Sequence, residues 1–475
     1  MPTASSTRPT WSAEHVTATE HAARGKAERA KVPRSAHAEW APQSDRPDPV
    51  ALLEHQGSTR DPELVPIRYG RMLLSPFAFY RGAAYLMASD LAQTPRTGLH
   101  VDLSGDAHLA NFGIFAAADR RLVFSVNDFD ETLPGPFEWD KRLVASFAVL
   151  GRERGFGQKK RRIATLAASR SYRLAMRNFA KMPTLDVWYA RMEVDEIVQR
   201  WGREVRAKQL DRIERDFAKH GGKDNLRALD KLTEVVDGKR RIISDPPLIV
   251  PLEELVPEAG RKARSEAVPQ IFRSYRRTLA VDCRELLDRY RYADAARKVV
   301  GVGSVGLQAW IILLLGRDDD DPLFLQLKEA QASVLESFLP KSQFANHGRR
   351  VVEGQRLTQS ARDELLGWTK DKAVDGQTPR DYYFRQLWAG KAQANLDALD
   401  ADTLAVYAEV CGWTLAHAHA RSGNPAELAG YLGRGDDFDH ALASFAESYA
   451  DQNEGDYAAL EAAARDGRIK VESGS

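Results

Sequence analysis

The sequence predicts an α+β fold in two lobes, and three observations carry that expectation. The chain has 475 residues, more than one hydrophobic core ordinarily serves. Two strand-like runs near the start, "GLHVDL" and "RLVFSVNDFD", each end in a loop crowded with polar side chains. Far downstream, the glycine-rich stretch "VGVGSVG" leads into two more strand-like runs and then back into helical sequence.

Four regions follow in order. Residues 1–60 are rich in Ser, Thr, Pro, Arg and Ala with little periodicity, which predicts a mobile arm with short helical pieces. Residues 61–290 form the first lobe with a helical insertion. Its "FAFYRGAAYLMASDLA" (77–92) has helical spacing, and "KKRRIATLAASRSYRLAMRNFA" reads as a long helix with a basic face. The Pro-rich "ISDPPLIVPLEEL" interrupts the helical run. Residues 291–400 return to strands and turns as the second lobe. Residues 401–475 are helical and are expected to pack back on the first. No repeat of fixed period is present.

Composition narrows the function. Hydrophobic content of 43% and charged content of 28% are globular values. A net charge of +1 and a pI near 7.8 give no field that would recruit nucleic acid or an anionic membrane. The partner expected is a small-molecule substrate, with no nucleic acid and no membrane; oligomeric state is not legible. Cys283 and Cys411 are the only cysteines. They cannot build a disulfide framework or a thiolate zinc site, and they fit a reducing cytoplasm. The start of the chain lacks the apolar core of a signal peptide. The longest apolar run, "AWIILLL", is too short to span a bilayer. A cytoplasmic location is expected.

The stretch "SGDAHLANFG" (104–113) places Asp106, His108 and Asn111 directly after a strand. A plain turn needs one Gly or Asn, not three polar groups at fixed spacing. The next strand ends in Asp128 and Asp130. Any one of these residues alone could be a turn or cap. Together they make a hard-oxygen site. Magnesium takes one or two carboxylates and leaves its remaining positions to water and phosphate. Asp128 and the Asn111 amide oxygen suit it, and Asp106 would be free to act as a base for an incoming hydroxyl.

Gly301, Gly303, Ser304 and Gly306 form a GxGxxG string, which by itself is weak. In a dinucleotide fold it would open a helix. Here a strand, "LQAWIILLL", follows, then the acidic turn "GRDDDDP" and a second strand carrying Lys328. A hairpin with a water-facing lysine is the plain alternative. The arrangement resembles the protein-kinase signature, in which a Gly-rich loop covers ATP phosphates and a strand lysine contacts them.

The loop Gly105-Asp106-Ala107-His108-Leu109-Ala110-Asn111 also resembles the aminoglycoside- and choline-phosphotransferase branch, which reads Gly-Asp-x-His-x-x-Asn. That resemblance implies Asp106 as catalytic base, His108 holding the loop, Asn111 and Asp128 as metal ligands, Asp130 as a second metal contact, and ATP and Mg2+ as cofactors. One departure is large: in kinases the glycine loop and lysine precede the catalytic loop, and here they follow it. The resemblance therefore implies a two-lobed, protein-kinase-like fold, circularly permuted, with added helices. Permutation is tolerable where old termini lie close and new ones open an exposed loop. The downstream order agrees: a helix at "NHGRRVVEGQRLTQSA" (346–361), strands at "ELLGWTK" and "DYYFRQLW", a linker near 389–400, then the helix "TLAVYAEVCGWTLAHAHARSG". On this reading residues 301–306 arch over the loops, Lys328 and Asp128 face one cleft, and helix 403–420 ends beside the strand entering "SGDAHLANFG".

Secondary candidates are weighed the same way. Glu353 is expected to pair with Lys328, with Glu336 as competitor. Asp140 reads as a helix N-cap or as a brace for the catalytic loop. His417 and His419 read as structural, and the "DDFD" string near 437 as capping. Arg81 could neutralise phosphate or pair with a carboxylate.

From about residue 20 to 460 the chain is also similar to a bacterial family known as domain of unknown function 2252. The shared stretches are "KVPRSAHAEW", "SPFAFYRGAA", "GDAHLANFG", "NDFDET", "PFEWDKRLVAS", "GVGSVG", "LQLKEA", "GQRLTQ" and "YADQNEGD". That family name carries no reaction. The motifs predict ATP- and Mg-dependent phosphoryl transfer to a hydroxyl. Alternatives are a pseudokinase that only binds nucleotide, a nucleotidyl transferase, and a metal-dependent phosphoesterase, which would need a His-bearing metal loop not found here. The acceptor is not legible.

Overall fold

Two blocks of apolar sequence set the architecture of the computed structural model, which describes residues 16–201, 224–255, 261–299, 301–370, 379–387 and 394–472. The first block is helical. In the helix Arg142–Glu153, every residue from 142 to 151 is buried, so it is enclosed by other helices rather than lying on a surface. The helix Ala401–Ser422 packs along Gln158–Phe179, and Asp437–Arg465 packs across Arg142–Glu153. Gly412 permits the first contact: a Cβ there would lie 2.2 Å from the carbonyl oxygen of Ala168. Onto this block fold the short strands β1 (His100–Leu103), β2 (Phe112–Ala116), β3 (Leu122–Val126), β4 (Leu133–Pro136) and β5 (Met192–Glu193). β1 pairs with β4, and β3 lies between β2 and β5.

The strands β6 (Thr233–Val236) and β7 (Lys239–Ile242) form a separate hairpin. The second block is a six-stranded antiparallel sheet. Its strands are β8 (Ile249–Pro251), β9 (Arg291–Lys298), β10 (Ala309–Leu315), β11 (Pro322–Ala330), β12 (Gly367–Lys370) and β13 (Asp381–Gln386), in the order β12-β13-β11-β10-β9-β8. Successive side chains of a strand point to opposite faces. Ile312 and Leu314 pack with Tyr275 and Phe384, while Ile311, Leu313 and Leu315 pack with Leu229 and Ile249. Both faces are covered, which is why "AWIILLL" reads as an unbroken apolar run. The helix His347–Thr358 joins β11 to β12 and packs against both β12 and β13.

Two expectations about organisation change. The arm is not loose from residue 18 onward. Its helix Ala18–Lys31 is docked by Arg29 Nε on the Tyr431 carbonyl (2.7 Å), and Arg46 pairs with Asp90 and Asp456, both at 2.7 Å. Long-range ion pairs and buried contacts supply what its polar composition does not. Residues 1–15 lie outside the described residues. The boundary expected at 290/291 also moves, because β8 pairs with β9 and Tyr275 stacks on Phe384 with ring centroids 3.9 Å apart. The described residues 224–255 and 261–287 cover the sheet rather than belonging to the first block. The linker expected near 389–400 lies partly outside the described residues. No described helix is long and apolar enough to cross a membrane.

Candidate active site

The loop after β1 is fixed from below by Asp140. Its carboxylate accepts from Ser104 N at 2.8 Å, Gly105 N at 3.0 Å and His419 Nε2 at 3.0 Å. Asp140 is thus the brace and not an N-cap; the following helix starts from Lys141 with no side-chain cap. His419 also meets Tyr172 Oη at 2.8 Å, and His417 meets the Val187 carbonyl, so both serve packing. Gly105 has φ +74°, and a Cβ there would come within 2.5 Å of the Glu131 carbonyl oxygen, so only glycine fits the turn. Beyond it, Asp106 O accepts from His108 N and from Asn111 Nδ2, both at 2.8 Å. With its amide nitrogen turned into the loop, Asn111 has its oxygen left for a ligand.

The Asp106 carboxylate accepts from Arg142 Nε at 2.6 Å, and His108 Nε2 stands 3.8 Å from its other oxygen. Burial raises the Asp106 pKa, with Arg142 pulling against it. Burial, with Arg142 and Arg81 adding to it, pushes the His108 imidazole far below its ordinary value. Its Nδ1 is buried with no hydrogen-bond partner among the described residues.

The second acidic loop leaves β3 beside the first. Asn127 N donates to Asn111 O at 2.8 Å, so Asn111 and Asp128 flank one rung of backbone. Asp128 accepts from Asp130 N at 3.1 Å. Asp130 receives Lys328 Nζ at 2.5 Å on one oxygen and Tyr383 Oη at 2.6 Å on the other. Burial pushes the Asp130 carboxyl up, but Lys328 and Tyr383 outweigh it and hold the group below its ordinary value. Burial and the neighbouring Asp130 push Asp128 up. Asp130, expected as a second metal contact, is instead the partner of the lysine, with both oxygens occupied.

Glu353 does not reach Lys328. It faces Arg349 and Arg356, each at 3.7 Å. Glu336 caps Ser333 and stands 3.9 Å from Arg350. The reason lies in the helix His347–Thr358, which turns buried Arg350 toward the acidic loop. Arg350 donates to the carbonyls of Asp130 and Thr132, both at 2.7 Å.

The glycine loop runs between β9 and β10. Gly301 and Gly306 take left-handed φ values of +69° and +92°. Arginines from the start of the chain strap it down: Arg71 donates to the Gly301 carbonyl and Arg60 to the Val305 carbonyl, both at 2.6 Å. A Cβ on Gly303 would lie 3.4 Å from the Arg81 carbonyl oxygen. Ser304 sits in the turn, its carbonyl accepting from Leu307 N at 3.1 Å. Lys328 reaches the second acidic loop through Asp130 rather than Asp128, while the glycine loop is held by Arg60, Arg71 and the backbone beside Arg81.

The free oxygen of Asn111 and the carboxylate of Asp128 are the hard donors that magnesium accepts. Among the described residues no group of three or more His, Cys, Asp or Glu could hold a metal ion. A magnesium ion here would need oxygens from a ligand as well.

Comparison with known proteins adds the family. The family described as "Uncharacterized protein conserved in bacteria (DUF2252)" matches residues 60–463. The chain belongs to this family. No curated protein and no solved structure matches it. The DUF2252 match spans both acidic loops, the glycine loop and Lys328, but begins at Arg60, after the docked arm helix.

Several site residues were not foreseen. Arg142 lies two positions after Asp140 in "EWDKR", but its approach to Asp106 depends on the fold of that turn. Tyr383 reaches Asp130 because β13 pairs with β11 in a register that sets it opposite Lys328. That register is invisible until the strands are paired. Arg60 stood at the end of the expected arm, and Arg71 was not singled out in the first lobe.

Proposed function

We propose that this protein is an ATP- and magnesium-dependent phosphotransferase acting on a hydroxyl of a small molecule, on a circularly permuted kinase-like fold. The observation that carries the reading is the Lys328–Asp130 contact. It joins a strand lysine behind a glycine hairpin to an Asp/Asn loop pair across 198 positions of sequence. Further support comes from the end of the helix Ala401–Ser422. Asp102 N of β1 donates to Ser422 Oγ at 3.1 Å, so that helix stops beside the strand entering the catalytic loop.

In this mechanism the substrate hydroxyl oxygen attacks the γ-phosphorus of ATP. The bond from that phosphorus to the β–γ bridging oxygen breaks, and ADP leaves. The hydroxyl proton passes to the Asp106 oxygen that Arg142 does not hold. Arg142 fixes the carboxylate's direction, and His108 fixes the loop. Burial raises Asp106 toward the range where a general base is effective. Lys328 shifts from Asp130 to the α- and β-phosphates. Asp128 and Asn111 would hold magnesium, which would supply neutralisation of phosphate charge. Positioning and charge neutralisation supply most of the rate in such transfers.

The test is calorimetry with ATP, with and without magnesium, on wild type and Asp128→Ala, followed by mass spectrometry of a pooled metabolite panel incubated with ATP. Wild type should bind Mg-ATP and phosphorylate at least one metabolite. Asp128→Ala should weaken magnesium-dependent binding by roughly tenfold or more, as losing its one anionic ligand requires. Binding without any product would leave a nucleotide-binding pseudokinase. No binding would end the proposal.

A further inference from the structure

We infer that Arg81 receives the terminal phosphate of the bound nucleoside triphosphate and stabilises the phosphoryl group during transfer. This rests on the phosphotransferase reading and assigns a residue that the kinase-type motifs do not supply. Three cationic side chains approach the catalytic carboxylates from the first block, and their partners differ. Arg142 is saturated, with Nε on Asp106, Nη2 on the Tyr80 carbonyl and Nη1 on Met87 Sδ. Arg60 is tied to the glycine loop through the Val305 carbonyl. Arg81 is different. Among the described residues its guanidinium makes no ion pair, and its Nε is buried with no hydrogen-bond partner. Arg81 is half-buried, so its guanidinium keeps donors that a ligand can take.

Its position says what that ligand is. The helix Pro76–Gly82 that carries it is fixed by Ser75, whose Oγ accepts from Ala78 N at 3.1 Å, and by the Tyr80 Oη bond to the Arg142 carbonyl at 2.7 Å. Asp106 is the acid whose charge acts on Arg81. Among the described residues the two form no salt bridge, and Arg142 holds one oxygen of Asp106. The glycine loop passes the backbone of Arg81, where a Cβ on Gly303 would lie 3.4 Å from the Arg81 carbonyl oxygen. Arg81 thus belongs to a segment that adjoins the glycine loop, and its guanidinium feels the charge of the proposed base, Asp106. A group carrying oxygens of negative charge complements it, and a planar guanidinium binds phosphate oxygens in pairs. In the transfer the attacking oxygen bonds to phosphorus, ADP departs, and Arg81 neutralises the equatorial oxygens between those events.

The test compares wild type, Arg81→Ala and Arg81→Lys by calorimetry with Mg-ATP, Mg-ADP and inorganic tripolyphosphate, with a melting curve for each variant. Arg81→Ala should lose about tenfold or more in ATP affinity while ADP affinity stays within about twofold, because only the terminal phosphate loses a partner. Should the alanine variant fail to fold, the same comparison on Arg81→Lys decides: ADP binding kept and ATP binding weakened supports the assignment. Equal loss for ATP and ADP, or no loss for either, overturns it. Wild type that binds tripolyphosphate through Arg81 but not ATP would overturn the nucleotide reading and leave the anion site standing. Wild type that binds neither removes both.

Discussion

Asp106 and Asp130 are both acidic residues in the cleft, and each is gripped by one cation at nearly the same distance, Arg142 at 2.6 Å and Lys328 at 2.5 Å. The grips differ in origin. Arg142 comes from the same helical block as Asp106 and is locked by two further contacts. Lys328 comes from the six-stranded sheet, with its Nζ 5.5 Å from the Tyr383 ring and the charges of Asp128 and Arg385 acting on it. The first pair is a local clamp that aims a carboxylate. The second ties two blocks together and, under the proposed function, would have to open for a triphosphate to reach the lysine. On that proposal preorganisation belongs to Asp106, and exchange of partners to Lys328.

The largest expected effect falls on the clamped side. Asp106→Asn keeps an oxygen for Arg142, so the fold should hold and nucleotide should still bind. Turnover should fall on the order of 10³-fold, the scale of a lost general base. Turnover of the metabolite found in the panel is the measurement. A loss of only a few-fold would show that the clamp serves structure and that the proton goes elsewhere.

The other side should respond in stability first. Lys328→Met leaves Asp130 with Tyr383 alone in a buried setting. Removing one member of a buried pair costs about 3 kcal/mol, because the remaining charge is stranded. Urea unfolding should show this loss, and Lys328→Met combined with Asp130→Asn should recover much of it, since neither charge then remains. If the double variant is no more stable than the single one, the pair does not join the blocks as described.

This contrast also marks what the sequence could disclose. The residues in the loops were legible because each sits at the end of a strand-like run, where a polar cluster has no structural excuse. Gly105 and the pair Asp106 and Asn111 could be read from six consecutive letters. Partners across blocks could not. Lys328 was expected to meet Glu353, one helix away, yet meets Asp130 because Arg350 occupies the inward side of that helix. The docked arm was misread because composition reports average polarity, whereas Arg29 and Arg46 act through single long-range contacts. Residues 224–255 and 261–287 were assigned to the wrong block for the same reason: strand pairing and ring stacking over long sequence distances leave no local pattern.

The smallest effect lies between the two grips. Glu131 follows Asp130 directly, and its carboxyl accepts from Val334 N at 2.7 Å. Burial pushes it up to about 7 from an ordinary 4.5, Arg350 opposes, and the charges of Asp130 and Asp106 add to the rise. A folded-state value above the unfolded one means that folding takes up a proton between those limits. The stability held by the protonated form is complete below about 4.5 and is lost as pH rises through about 7. Glu131→Gln keeps the acceptor for Val334 and removes the titration. Between pH 5 and pH 8 the wild type should lose roughly 2 kcal/mol relative to the variant, less than the full shift because the residue retains some solvent contact. Paired urea titrations at the two pH values measure the difference. Parallel pH dependence in both proteins would mean that Glu131 does not feel the two acids, and that Asp106 and Asp130 act as separate sites rather than as the two sides of one charged cleft.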